Sequence, residues 1–301
     1  MPELSAPNLH KEPIVATRSR RRFDDDDFID LPSVPTLSAT GFDEELIEPN
    51  WSTYIDSAHG PAPGPNWVIT SPDAIDTDLG VMKSGKEADV SLLRRQHDGA
   101  VSFLAVKQYR SAQHRNFHRD AGYLEGRRVR RSRETRAMAN RTEFGRDLIA
   151  GQWANAEFTV LSKLWSAGAA VPYPVQLSGT ELMMEFIGDD DGEGNGVAAP
   201  RLAQLRPDFR EGTALFRQLR VALSALADAG YAHGDLSAYN ILVHHGRLVL
   251  IDLPQAVDLV GNPQGFEFLR RDCENVCNWF QSHGIPADAH DLRKDLLRSV
   301  R

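Results

Sequence analysis

The chain has 301 residues, of which 41% are hydrophobic, and a net charge of -8 at pH 7. This length supplies one or two domains with a buried core, and the lack of an apolar run long enough to cross a bilayer argues against a membrane partner. Because Cys273 and Cys277 are the two cysteines and the N-terminus lacks a signal-peptide hydrophobic region, we expect a cytoplasmic protein without a disulfide framework.

The first 66 residues are predicted to form a disordered acidic tail. Residues 1–60 carry 5 Lys or Arg against 12 Asp or Glu, and the blocks RSRRR, DDDD and PAPGP interrupt the tail. Neither strand nor helix periodicity is sustained there, which favours a solvated tail over a partner-docking arm.

From Trp67 onward the patterns predict strands, one helix, and then mostly helices. ADVSLLRR and AVSFLAVKQYR indicate two strands joined by the QHDG turn. GQWANAEFTVLSKLWSAG has apolar residues at helical spacing, and Gly168 ends that helix. TELMMEFIG is typical of a buried strand, and it runs into a polar connection at residues 188–196.

The C-terminal half continues with a second amphipathic helix, TALFRQLRVALSALADAG, a hairpin, NILVHHGRLVLID, and a third helix, FEFLRRDCENVCNWF. His244 and His245 are predicted to be turn residues of that hairpin. The third helix is expected to bury one face, which makes the cysteines packing residues: Phe266, Leu269, Cys273, Val276, Cys277 and Phe280. We therefore predict an α+β fold with two lobes, a β-rich one at residues 67–187 and a helical one at residues 188–301.

The segment HGDLSAYN has the spacing of a kinase catalytic loop, H-x-D-x-x-x-x-N. In that chemistry Asp235 would orient the attacking hydroxyl, and Asn240 would hold a metal ion. Asp252 ends the strand LVLID and would supply a second oxygen ligand. The alternative interpretation is a hairpin with turn-forming Asp and Asn residues.

Lys107 lies among apolar residues of a predicted strand, where an unpaired ammonium would be costly. Glu157 faces inward from the following helix, three residues after Ala154, and is the expected partner; Glu143 is the alternative. A strand Lys with a helix Glu is the kinase arrangement for holding the α- and β-phosphates of ATP.

The stretch GVMKSGKEADV nearly fits a Walker-type phosphate loop, except that Glu87 stands where Ser or Thr would bind Mg²⁺. Since it continues into alternating, strand-like sequence, it is predicted to be the bend of a hairpin. That is the placement of a kinase Gly-rich lid, in which the metal is held elsewhere.

With these segments the chain resembles the RIO family of atypical kinases over about residues 79–283. The family's lid, S-x-G-K-E-A, is similar to KSGKEADV, its loop H-x-D-L-S-x-Y-N matches HGDLSAYN, and its metal segment I-D-x-x-Q matches IDLPQ. MEFIG looks like the family's hinge, APRL its continuation, and FEFLRRDCENV its C-terminal helix.

The resemblance implies a bilobal kinase fold that uses ATP with Mg²⁺, or with Mn²⁺ in its place. It gives the roles described above to four residues: Lys107, Asp235, Asn240 and Asp252. It also implies that Glu185 and Ile187 contact adenine, and that Ser84 and Lys86 contact the phosphates. RIO proteins act as serine autokinases and as ATPases, in which the Asp corresponding to Asp252 can become an aspartyl-phosphate. They are associated with ribosome biogenesis, which makes a ribosomal subunit precursor or RNA the expected partner.

The Arg-rich segment at residues 111–146 contains 10 Arg against 4 Asp or Glu. It could contact RNA phosphates, or it could be a mobile insertion that carries autophosphorylation sites such as Ser111 and Ser132. Only 49 residues follow Asp252, without the A-P-E segment of peptide-binding kinases. Two other functions stay open: a small-molecule phosphotransferase of the aminoglycoside or choline kinase type, and a nucleotide-binding scaffold.

Overall fold

The computed structural model describes residues 50–110 and 143–300, with the side chains of residues 143–147 and 299 outside that description. The predictions for the acidic tail up to residue 49 and for the Arg-rich segment at residues 111–142 therefore lie outside the described residues. No described helix combines the length and the apolar composition that a membrane span needs.

An antiparallel six-stranded sheet forms the N-terminal lobe, in the order β1-β5-β6-β4-β3-β2. The strands are β1 (Ala58–His59), β2 (Ile75–Ser84), β3 (Ala88–His97), β4 (Ala100–Tyr109), β5 (Pro174–Ser178) and β6 (Glu181–Glu185). The predicted turn between β3 and β4 is confirmed. Asp98 and Gly99 have φ of 47° and 79°, the conformation that suits a two-residue hairpin loop.

The predicted tail boundary at residue 66 is wrong at its C-terminal end. Trp51 forms a bridge with Ile75, and β1 pairs with β5 through Ala58↔Leu177. Tyr54 packs against a buried cluster of the lobe. These residues have no periodicity of their own because the edges of an existing sheet order them, so sequence patterns did not reveal them.

Helix α1 (Glu143–Ser166) packs against β4, β5 and β6. It begins earlier than the predicted segment at residue 151 and ends, as predicted, before Gly168, which has φ of 77°. Ala154, Leu161 and Leu164 are buried on its inner face, and Glu157 is buried among them.

The helical lobe contains α2 (Phe209–Asp228), α3 (Gly265–Ser282) and α4 (Ala289–Ser299), the last of which the sequence patterns did not reveal. Asp208 caps α2 by accepting a hydrogen bond from the backbone N–H of Glu211. On α3 the two cysteines are buried, as predicted, but Phe266 is 41% exposed, so it does not belong to the predicted buried face.

Short strand pairs surround these helices. The polar connection at residues 188–196 contains most of a hairpin, β7 (Gly188–Asp190) with β8 (Gly196–Ala198), instead of a loop alone. Next come β9 (Tyr231–Ala232), the predicted hairpin β10 (Ile241–His244) with β11 (Arg247–Leu250), and β12 (Val257–Asp258), which pairs with β9. The expected α+β organisation, a β-rich lobe followed by a mostly helical one, is confirmed.

Candidate active site

Lys107 connects the two lobes through a pair of carboxylates. Its Nζ atom lies 2.9 Å from Glu157 Oε2 and 2.7 Å from Asp252 Oδ1. Burial by itself lowers the pKa of Lys107, but the charges of Glu157 and Asp252 outweigh it and raise that pKa above its usual range. The ammonium is therefore charged, as the predicted role of Lys107 beside phosphates requires.

Glu157 is the predicted partner of Lys107, and it makes two further contacts. The Tyr109 hydroxyl donates to Oε2, and the backbone N–H of Leu253 donates to Oε1 at 2.9 Å. The side chain of the alternative partner, Glu143, lies outside the described residues. Because Leu253 directly follows Asp252, Glu157 joins strand β4 to the segment predicted to bind metal.

Asp252 follows strand β11 with φ of 66°, a left-handed conformation that is uncommon outside glycine and concentrates at functional sites. Burial raises the pKa of Asp252, but Lys107 outweighs this and lowers the pKa to about 2. The carboxylate is ionised at neutral pH and keeps 36% of its side chain exposed. It can therefore serve as a metal ligand or as a nucleophile.

Asp272 of helix α3 fixes the backbone of the segment predicted to be the catalytic loop. Its carboxylate accepts hydrogen bonds from the backbone N–H groups of Gly234 and Leu236, at 2.9 and 3.0 Å, on either side of Asp235. Asp272 is 1% exposed, and burial raises its pKa. Sequence analysis missed this residue, although an acid on the buried face of an amphipathic helix was a usable signal.

His233 and Asn240 complete the loop. His233 Nε2 lies 3.1 Å from the carbonyl oxygen of Ile251, next to Asp252. Asn240 donates from Nδ2 to the carbonyl of Asp235 at 2.9 Å. Its amide oxygen is therefore the atom that can bind a cation. The predicted residues Asp235, Asn240 and Asp252 are thus brought to one region.

The predicted lid is the bend between β2 and β3, closed by a hydrogen bond of 3.0 Å from Gly85 N–H to the Ala88 carbonyl. Ser84 donates to Asp89 and accepts from Arg110 at 2.8 Å, while Lys86 is exposed. Ser84 is therefore engaged within the lid, and Lys86 extends from it.

Lys83 is a further cation of the site that sequence analysis did not select. It stands at the first position of the S-x-G-K-E-A pattern, where Ser is expected. Lys83 is exposed as a residue, but partial desolvation of its ammonium lowers its pKa, while the charges of Asp252 and Asp235 oppose that shift. Its ammonium therefore interacts electrostatically with the carboxylates of Asp252 and Asp235.

Glu185 and Ile187, the predicted hinge residues, lie at the end of β6 and before β7. The N–H of Glu185 donates to the Tyr173 carbonyl at 2.8 Å, and the carbonyl of Ile187 accepts from Ala199 at 2.9 Å. The remaining backbone groups of these two residues are the Glu185 carbonyl and the Ile187 N–H, one acceptor and one donor.

Comparisons with known proteins agree with this arrangement. A family model described as the RIO domain matches residues 93–293. The chain is 36% identical over 218 residues to the RIO-type serine/threonine-protein kinase Rio1 of Haloferax volcanii, covering 72% of this chain and 68% of that protein. It is 36% identical over 138 residues to human serine/threonine-protein kinase RIO3, covering 46% of this chain but 25% of that longer protein.

Solved structures of Rio2 kinase have a fold similar to that of this chain. The Rio2 kinase of Chaetomium thermophilum, described as an ADP/Mg²⁺-phosphoaspartate complex, aligns with a TM-score of 0.53 at 21% identity, covering 74% of this chain and 60% of that one. At this identity the likeness concerns the fold, which is the kinase-like α+β architecture described above. Because the family model matches two-thirds of this chain and the Haloferax relative is 36% identical over 72% of it, this chain belongs to the RIO family of protein kinases.

Proposed function

We propose that this protein transfers the γ-phosphoryl group of ATP in a Mg²⁺-dependent reaction of the RIO type, as a serine kinase, an ATPase or both. The observation that carries the proposal is Lys107 bound at once to Glu157 and to Asp252. That combination positions one cation for the phosphates and one carboxylate for the metal, next to the loop that carries Asp235.

The residues present fit a hard divalent cation. The amide oxygen of Asn240 and the ionised carboxylate of Asp252 are oxygen ligands of the kind that Mg²⁺ prefers, and Mn²⁺ accepts the same set. Mg²⁺ supplies charge neutralisation on the phosphate oxygens when it is bound there.

The chain's own residues would divide the remaining work. Lys107, held by Glu157, would shift its contact from Asp252 to the α- and β-phosphates. Lys86, together with the backbone of the lid near Ser84, would cover the phosphates. The Glu185 carbonyl and the Ile187 N–H would accept from and donate to the adenine edge.

Asp235 and Asp252 offer two routes for the phosphoryl group. In the first, Asp235 accepts the proton of an attacking serine hydroxyl or water as the oxygen attacks phosphorus and ADP leaves. In the second, a carboxylate oxygen of Asp252 attacks phosphorus, ADP leaves, and water later hydrolyses the aspartyl-phosphate. The second route is supported by the position of Asp252, whose ionised carboxylate keeps 36% of its side chain exposed beside Lys107.

Coupling to assembly of a ribosomal subunit or another RNA–protein particle is part of the same proposal. Its support is the family resemblance and the Arg-rich segment at residues 111–146, whose charge suits RNA phosphates. Because the chain spans 25% of the human relative's length, we base no partner on that protein. Binding of RNA that weakens steeply with salt would support this part, and salt-independent or absent binding would contradict it.

The test follows γ-labelled ATP with the full chain and Mg²⁺, measuring free phosphate and protein-bound label together. We expect turnover in the wild type and its loss in Asp235→Asn. Asp98→Asn is the matched control, since it makes the same chemical change in an exposed turn with positive φ and should leave turnover unchanged. An acid-stable label indicates serine, whereas a label released by hydroxylamine indicates Asp252.

The same assay separates the alternatives. Turnover that requires an added aminoglycoside or choline would replace the proposal with a small-molecule phosphotransferase. Nucleotide binding without free phosphate or label, in the presence of Mg²⁺ or Mn²⁺, would leave the scaffold function.

A further inference from the structure

Away from the ATP site, three metal-ligating side chains converge where two hairpins meet. Asp189 belongs to β7, His244 ends β10, and His245 begins the turn to β11. The Nε2 atoms of both histidines approach one oxygen, Asp189 Oδ1, at 3.1 and 2.8 Å. The three ligand atoms lie within 4.8 Å of one another. Two imidazoles and a carboxylate are therefore close enough together to bind one ion.

The backbone of the β10–β11 turn creates this convergence. Consecutive residues of a regular strand point to opposite faces, so neighbouring histidines would normally diverge. Here His245 has φ of 49° and Gly246 has φ of 74°, the primed-turn conformation that non-glycine residues adopt at a cost. This turn sets the two rings 4.2 Å apart, centroid to centroid. Both rings can therefore reach Asp189.

We propose that Asp189, His244 and His245 bind a divalent transition-metal ion of the zinc class. Imidazole nitrogens with one carboxylate form the ligand set of open zinc sites, in which water occupies the fourth position. Ligand distances of about 2.0–2.2 Å require the three atoms to spread around an ion, which rotation of exposed side chains allows. His245 and Asp189 keep 69% and 55% of their side chains exposed, so an ion can reach the site.

The site differs in chemistry from the magnesium site of the cleft. Mg²⁺ prefers oxygen ligands with near-octahedral geometry, whereas two nitrogens favour later first-row ions. We therefore expect that excess Mg²⁺ does not compete with zinc for the site at His244 and His245. The proposal also stands independently of any phosphoryl transfer by the protein.

The position of the site gives metal binding a structural consequence. Asp189 lies two residues after Ile187 of the hinge, and His244 lies four residues after Asn240. The chain just after β8 already contacts β10, because Val243 N–H donates to the Pro200 carbonyl at 2.9 Å. A bound ion would join the hinge hairpin to the hairpin that begins at the catalytic loop. Zinc should therefore raise the melting temperature.

A second acid–histidine group provides a matched control. Asp288, His290 and Asp291 lie at the start of α4, all exposed. There the Asp288 carboxylate already caps the helix by accepting from Asp291 N–H at 2.8 Å, and His290 Nδ1 is 3.9 Å from Asp291. His290→Gln therefore removes a histidine next to two carboxylates without touching the proposed site.

The experiment titrates Zn²⁺ into the full chain in excess Mg²⁺ by calorimetry and records the visible absorption of the Co²⁺-loaded protein. We expect His244→Gln, His245→Asn and Asp189→Asn each to weaken zinc affinity at least about tenfold, the scale seen when a metal's supporting groups are removed. His290→Gln should bind as the wild type does. Asn suits position 245 because it tolerates positive φ.

The double variant His244→Gln/His245→Asn should lose both the calorimetric signal and the zinc-induced rise in melting temperature. Wild-type affinity in that variant, an equal loss in His290→Gln, or no zinc binding by the wild type would overturn the proposal. The three side chains would then form a hydrogen-bonded cluster only. Because Asp189 is exposed, Asp189→Asn keeps the test valid if the histidine variants fold poorly.

Discussion

The Lys107 ammonium lies 2.7 Å from the Asp252 carboxylate, across 145 residues of sequence. In this arrangement the group that would hold phosphate neutralises the group that would hold Mg²⁺. Each therefore keeps the other charged and ordered before ligands arrive. Binding of Mg²⁺ and ATP would exchange this contact for two others and would not need to create charge in the cleft.

Lys107→Met should destabilise the fold as well as remove ATP turnover. Glu157 is 1% exposed, and removal of its cation leaves a buried carboxylate with the Tyr109 and Leu253 donors alone. Breaking one partner of a buried pair costs about 3–5 kcal/mol. Urea unfolding measures the loss, with Lys294→Met on the exposed side of α4 as the control. Equal unfolding free energies in the two variants would contradict a supporting role for the pair.

Tyr109→Phe tests whether the orientation of Glu157 contributes to stability and to ATP binding. The variant removes the hydroxyl that donates to Glu157 and keeps the ring. We expect a loss of about 1.5–3 kcal/mol, the range for hydrogen bonds to charged groups, and a rise in KM for ATP.

Tyr173→Phe is the control for Tyr109→Phe, because its hydroxyl donates to the neutral Pro61 carbonyl at 3.0 Å. It should cost about 1 kcal/mol and leave the KM for ATP unchanged. If both variants shift KM alike, the effect does not pass through Glu157.

Asp272→Asn should reduce kcat more than it raises KM. The amide offers one acceptor atom where two backbone N–H groups, those of Gly234 and Leu236, need acceptors. One donor is left poorly paired, and Asp235 loses its fixed position, for which we expect a loss of about 10–100-fold in kcat.

The control for Asp272→Asn is Asp258→Asn in β12. One oxygen of Asp258, Oδ1, accepts from the backbone N–H groups of Val260 and Gly261, at 2.9 and 2.8 Å, outside the catalytic loop, so the amide oxygen of Asn can keep both bonds. Steady-state kinetics should show kcat retained in this variant. A similar fall in kcat for both would refute the specific support of the loop by Asp272.

Acid should remove the stabilising contribution of Asp252 in a defined pH window. Its folded pKa is lowered from 3.8 to about 2, so the unfolded state binds the proton more tightly. The contribution is fully present above about pH 4 and is lost as the pH falls through about 2.

The measurement compares urea unfolding of the wild type and Asp252→Asn between pH 6 and pH 2. Asn tolerates the positive φ at position 252, so the comparison isolates the charge. The stability difference should shrink toward pH 2. A difference that stays constant across this range would show that the Lys107–Asp252 contact does not depend on ionisation of Asp252.

Local patterns predicted much of the fold and the centre of the site. The strand containing Lys107, the helix containing Glu157 and the hairpin ending at Asp252 follow from periodicity and turn residues, and the structure brings these three side chains together. The loop HGDLSAYN and the lid were recognised because their chemistry needs particular residues at short, constant spacings.

Tertiary structure alone decided the contacts between distant segments. Asp272 reaches the catalytic loop from 36 and 38 residues away, β1 gains order from β5, and Asp189 meets two histidines 55 and 56 residues later. Lys83 likewise belongs to the site only through the charges of Asp252 and Asp235, which lie on other segments of the chain. Sequence by itself determined the elements and the motifs within them, since these depend on neighbours along the chain. How the elements support and add to the site depends on packing between segments, which no spacing within one segment encodes.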